Sequence, residues 1–188
     1  MKKVFWFDVE TTGLDPKIHG IIEFAGLIEI DGEVVNQLSI KMQPHAGAVI
    51  EQSALDVTGI TEKDIKGFMP HVTACRMIEA FLNKRCSKFD KNDKYYPAGF
   101  NVRFDLDFLQ VMFKKMDKYG LGSYLNWKAI DPLSLLSIMD YKGSISLPSY
   151  KLASVCEYFG IEIQAHDALS DITATRELAF ILMEKMNA

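Results

Sequence analysis

Residues 4–9, VFWFDV, constrain the fold more than any other stretch of the chain. Apolar side chains fall on both faces of this extended run, so it fits a central strand whose sheet is covered on both sides. Residues 21–30, IIEFAGLIEI, read as a second strand, and 33–42 as a third after the hairpin signal Asp31-Gly32. Strands joined by so short a turn pair antiparallel. The periodicity then becomes helical. Pro70 opens a helix with Val72, Cys75, Ile78 and Phe81 or Leu82 at helical spacing. A polar loop over 84–94 leads to a short fourth strand over 95–100. Asn101 is placed to cap a helix running to about Tyr119. A fifth strand at 129–131 precedes a helix near 132–140; another helix over 150–159 stops at Gly160, and a last one runs from about Asp167 to Met186. The order β-β-β-α-β-α-β-α-α predicts an α/β fold: a mixed five-stranded sheet, three antiparallel strands and then parallel ones, flanked by helices. The 188 residues suit one domain over 1–188 with a single large core.

Composition removes several function classes. No apolar run reaches membrane-spanning length, and the acid at position 8 comes too early for a secretory signal. A cytoplasmic protein with no membrane partner is expected. Cys75, Cys86 and Cys156 are scattered without a CxxC pair, which argues against both a disulfide framework and a zinc site. The formal net charge of −4 is wrong for a protein that coats duplex DNA. It remains compatible with an enzyme that uses acids to bind divalent cations and grips only a strand end.

The acids themselves are unusual. Side chains two apart on a strand share a face, so Asp8 and Glu10 project together from the end of the first strand. At about 4 Å and an effective dielectric of about 20 their repulsion is about 4 kcal/mol, which a hard cation with oxygen ligands removes. An isolated pair of this kind is more often simply a solvated strand end. Asp105 shares a helix face with Phe108, Leu109 and Met112, whereas Asp107 shares one with Gln110, Lys114 and Lys118. Asp105 is therefore an acid aimed at a core, unless it serves only as a first-turn acid favoured by the helix dipole. Asp107 is expected to be solvated and paired with a lysine. Asp171 repeats the pattern of Asp105 beside Ala168, Ala174, Thr175 and Leu178, and His166 lies just before the same helix. Four acids on otherwise apolar surfaces with no sulfur among them favour Mg2+ or Mn2+, and two such ions a few Å apart cleave phosphodiesters. A histidine titrating near ~6.5 can take the proton of the attacking water.

The segments FDVETTGLDP (7–16), GFNVRFDLDFL (99–109) and HDALSDITAT (166–175) resemble, in order and over nearly the whole chain, the three motifs of the DEDDh, or DnaQ-like, 3′–5′ exonucleases. These include the proofreading epsilon subunits of bacterial DNA polymerase III. ALDVTGIT (54–61) resembles the family's A-x-x-x-x-G-I element, with Thr58 where many members have His. The resemblance implies an RNase H-like fold and two Mg2+ or Mn2+ ions held by Asp8, Glu10, Asp105 and Asp171. Within that set Asp8 bridges the two ions, and Asp105 helps directly or through water. It implies His166 as general base, and contact with the 3′-terminal nucleotide by backbone around Thr11 and Thr12, with Leu14 wedged against its base. Asn101, in the second motif, joins the expected substrate-binding residues; Phe104 matches an aromatic motif position but reads more simply as core. The expected activity is hydrolysis from 3′ ends of DNA, preferably single-stranded, releasing nucleoside 5′-monophosphates. RNA trimming and a non-catalytic nucleic-acid-binding module are the alternatives. The basic loop 84–94 with Lys114, Lys115 and Lys118 either guides a nucleic-acid backbone or is a solvated face. Polymerase association is not supported by a C-terminal tail, since the sequence stops at Ala188 directly after the last motif's helix. Gln37–Ile40 loosely resembles a sliding-clamp ligand but lies within the third strand.

Overall fold

The computed structural model describes residues 2–116 and 120–187, so Lys118 and Tyr119 lie outside the described residues. Strands β1 (Lys3–Thr11), β2 (Ile21–Ile30), β3 (Glu33–Lys41) and β4 (Tyr96–Ala98) form one sheet in the order β3-β2-β1-β4. β1 is central, antiparallel to β2 and parallel to β4, as its two-sided apolar pattern requires. The helices are α1 (Gln52–Thr58), α2 (Glu62–Gly67), α3 (His71–Asn83), α4 (Val102–Lys115), α5 (Pro132–Tyr141), α6 (Leu152–Phe159) and α7 (Ala168–Asn187).

Alternation along β1 divides the core. Phe5, Phe7 and Val9 pack with Ala74, Ile78 and Leu82 of α3 and Phe108 and Leu109 of α4. Val4 and Trp6 face the opposite layer, against Ala168, Ile172 and Ala179 of α7. Each fully buried large side chain here contributes roughly 1.5–3 kcal/mol. Behind α7, Leu136, Val155 and Cys156 of α5 and α6 close on Leu178 and Leu182. Leu55 of α1 and Ile65 of α2 cover Ile22 on β2.

The sheet has four strands, not five. Asp131 caps α5 by accepting the Leu133 N–H, and Pro132 begins the helix, so the expected fifth strand shrinks to a parallel bridge between Ile130 and Ala98. Neither α1 nor α2 was expected. Both are too short for periodicity to register, although α2 carries a capping box between Thr61 and Asp64 and α1 stops at Gly59 in the left-handed region. Asn101 does precede α4, but it lies at φ 58° and its side chain makes no capping bond.

Part of the basic loop is engaged in structure. Lys3 Nζ bonds the Arg85 carbonyl and Asp93, and Lys94 Nζ bonds the carbonyls of Lys88 and Ser123. These contacts tie the loop to the start of β1, about 17 Å along the strand from Asp8. Lys114 and Lys115 end α4, about 14 Å along its axis from Asp105. No described helix is long and apolar enough to cross a membrane.

Candidate active site

The four acids meet where the C-terminal end of β1 runs between two helix starts. Asp8 and Glu10 continue the face of Val4 and Trp6, toward the first turn of α7, where Asp171 sits. Asp105 enters from the other layer in the first turn of α4; it is 3% exposed, and its Oδ1 accepts the Val9 N–H at 3.0 Å. His166 stands exposed just before α7 at φ 67°, a conformation that costs a non-glycine residue on the order of 1–3 kcal/mol. Its backbone N–H donates to Asp171 Oδ2 at 3.2 Å. One side-chain donor atom each from Glu10, His166 and Asp171 lie within 4.8 Å of one another.

Burial and mutual repulsion set the charges. Desolvation holds Asp8 well above the usual carboxylate range, and Asp105, Glu10 and Asp171 push it further. Glu10 is raised to about 7 by desolvation and then by Asp171, Glu23 and Asp167. Asp171 is raised to about 6 by desolvation, against the lowering effect of the His166 N–H. Desolvation raises Asp105 as well, although the Val9 N–H opposes it. Protein groups alone do not keep all four acids ionised at neutral pH. Asp171 Oδ1 is buried with no hydrogen-bond partner among the described residues. An orphaned carboxylate oxygen beside three other acids, free of sulfur, has the donor chemistry of a hard divalent cation.

Glu23 on β2 was missed. It lies directly across from Glu10, is 3% exposed, and faces the Lys41 ammonium at 3.6 Å. Burial raises its pKa and Lys41 lowers it. An acid inside the apolar run IIEFAGL was the available signal. Its pairing with Glu10 was not legible, because the loop joining β1 to β2 does not fix their register and a bulge follows at Glu10/Thr11.

Beside the acids lies a cleft of about 350 Å³. Val9, Glu10 and Thr11 line it from β1, Gly13 and Leu14 from the following turn, and Glu51, Ser53, Ala54, Val57 and Thr58 from α1 and its cap. Leu14 is 79% exposed, and Phe104 also lines the cleft while packing on Phe108, so Phe104 is more than core. Two of the expected substrate-binding residues do not line the cleft. Thr12 is fully buried: its N–H bonds the Gly20 carbonyl, and its hydroxyl donates to the Val49 carbonyl and accepts the Gly20 N–H. It fastens the turn and has no polar group left for a substrate. Asn101 does not line the cleft; its N–H donates to Asp131 Oδ1. Asp107 is half exposed as expected, but pairs with Arg103 at 3.0 Å because i,i−4 outreaches the lysines further along α4.

Residues 5–179 match the exonuclease family model RNase_T. The chain belongs to this exonuclease family. Its three motifs are those of the DEDDh, DnaQ-like branch, and members generally use divalent metal ions. The chain is 30% identical over 179 residues to a PolC-type DNA polymerase III of Halalkalibacterium halodurans, covering 95% of this chain and 11% of the relative. Against the PolC-type enzyme of Thermotoga petrophila the figures are 29% over 182 residues, 95% and 12%. The exonuclease fold is shared with E. coli Exonuclease I in complex with a dT13 oligonucleotide: TM-score 0.80 and 21% identity, over 98% of this chain and 41% of that one. Exonuclease I from Methylocaldum szegediense superposes with a TM-score of 0.76 at 20% identity, over 100% and 41%. The chain thus spans about a tenth of the length of these curated relatives and about two fifths of the solved chains.

Proposed function

We propose that this chain is a metal-dependent 3′–5′ exonuclease that removes nucleoside 5′-monophosphates from the 3′ end of single-stranded DNA. The observation that carries the reading is the convergence of Asp8, Glu10, Asp105 and Asp171 beside a nucleotide-sized cleft, with a buried Asp171 oxygen left unbonded. Asp8, Glu10 and Asp171 would hold the divalent cations, with Asp105 completing the set. When bound, Mg2+ or Mn2+ lowers the pKa of a water and offsets charge at the scissile phosphate. His166, exposed at the rim with its backbone fixed to Asp171, takes the proton of the attacking water. The cleft receives the terminal nucleotide, with the exposed Leu14 against its base and Thr11 at its floor. DNA is favoured because the relatives are DNA polymerases and the neighbouring structures hold oligodeoxynucleotides.

Mononucleotide release from 3′-recessed, blunt and single-stranded ends, on DNA and on RNA, tests the reading. Release should need a divalent cation, stop with EDTA, and fall by at least ~10³-fold in Asp8→Ala, as expected for loss of a group that acts as part of a unit. Release that persists in EDTA sinks it. Faster release from RNA than from DNA overturns the choice of sugar and leaves the chemistry standing.

A further inference from the structure

We infer that His19, which lies outside the acid cluster and does not itself line the cleft, is a positioning residue that sets the separation of the cleft's two walls; this rests on the exonuclease reading above. The two walls come from different elements. Gly13 and Leu14 belong to the turn after β1, and Glu51, Ser53 and Ala54 to α1 and its cap. The imidazole lies between the supports of both walls.

His19 is only 3% exposed. Its Nδ1 meets both the Asp15 N–H at 3.0 Å and the Asp15 carbonyl at 3.1 Å, which closes the turn behind Leu14. Its Nε2 stands 3.1 Å from Glu51 Oε1 on the far wall. Nε2 makes no hydrogen bond among the described residues, so the contact with Glu51 is electrostatic. The ring also fills the space behind Gly13. A Cβ at Gly13 would come within 2.5 Å of His19 Cδ2 and Nε2, so the turn rests directly on the imidazole. The surrounding backbone runs the same way: Glu51 N–H bonds the Thr12 carbonyl and Val49 N–H the Ile18 carbonyl. Those bonds hold the hinge of the two walls, while His19 is the side chain that fixes their spacing. From the other side, His45 Nε2 lies 3.2 Å from the His19 carbonyl and anchors its backbone.

A part that spaces the walls acts on binding rather than on the chemical step, because the acids and His166 stay where they are. Loss of it raises KM and spares kcat, the signature of lost uniform binding. The test uses the full chain on a single-stranded dT12 oligonucleotide. His19→Ala should raise KM about 5- to 20-fold with kcat within twofold, and His19→Gln, which can still reach Glu51, should recover part of that loss. Leu82→Ala, a core truncation at the opposite end of the sheet, serves as the stability control and should leave KM in place at a comparable fall in Tm. If His19→Ala does not fold, His19→Gln alone still decides, since a positioning role requires its KM to exceed the control's. An unchanged KM in folded His19 variants, or a fall in kcat with KM intact, overturns the inference while the exonuclease reading stands. A wild-type chain that releases nucleotide from neither DNA nor RNA overturns the reading, and this inference with it.

Discussion

Two buried acids on the same face of β2 meet opposite fates. Glu29, 5% exposed, accepts the Trp6 indole N–H at 3.0 Å and the Arg176 Nε at 2.6 Å. Arg176 in turn donates to the Gly32 carbonyl and lies over the Phe180 ring. Every charge there has a protein partner. At the other end of the same face, Glu23 faces the half-exposed Lys41, and among the described residues no lysine or arginine forms an ion pair with its neighbours Glu10, Asp8 and Asp171. A buried acid with a matched cation is a fastening; a group of them without one is a socket for something the chain does not encode.

The comparison can be broken in order of expected effect. His166→Ala should lower kcat by roughly 10²–10⁴-fold. Divalent binding, followed by metal-induced change in Tm, should persist; unchanged turnover would remove His166 as base. Arg176→Met should leave Glu29 buried without its cation and cost about 2–4 kcal/mol in urea unfolding, discounted from a fully buried pair because Arg176 is a quarter exposed. Its kcat per folded molecule should stay within twofold. A variant that kept full stability would show that the two ends do not differ as argued.

The third test is pH. Glu10 sits at about 7 in the fold against 4.5 for the free side chain, and Asp171 at about 6 against 3.8. The folded chain therefore holds protons that the unfolded chain has already released. Stability from these groups is complete below about pH 4, is lost as pH climbs through 6 and 7, and is restored where a cation replaces the protons. In EDTA, Tm should fall between pH 5 and 8, and Mg2+ or Mn2+ should flatten that fall; a Tm that ignores both sinks the socket. The smallest effect belongs to Asp107→Asn, on the solvent side of α4. It should change activity less than twofold and stability by under about 0.5 kcal/mol.

What could be read from residues alone follows from how local the information is. The parity of β1 puts Asp8 with Glu10, and the pitch of α4 separates Asp105 from Asp107; both are short-range periodicities, and both hold in the structure. Thr12 and Glu23 could not be placed that way. Their environments depend on the Gly20 and Val49 backbone and on the β1–β2 register, which arise only when distant segments meet. The same holds for α1, which has seven residues and is recognisable mainly by the cleft it lines. The fifth strand failed for a local reason in plain view: Pro132 and the capping Asp131 leave room for one bridging residue.

Asp105 spends one oxygen on the Val9 amide, and that bond stitches α4 to the strand carrying Asp8 and Glu10. Hence a single carboxylate both indexes the helix against the strand and contributes charge. An amide at 105 could keep the first job through its carbonyl oxygen and drop the second, so Asn in that place would disarm the socket while the helix keeps its seat.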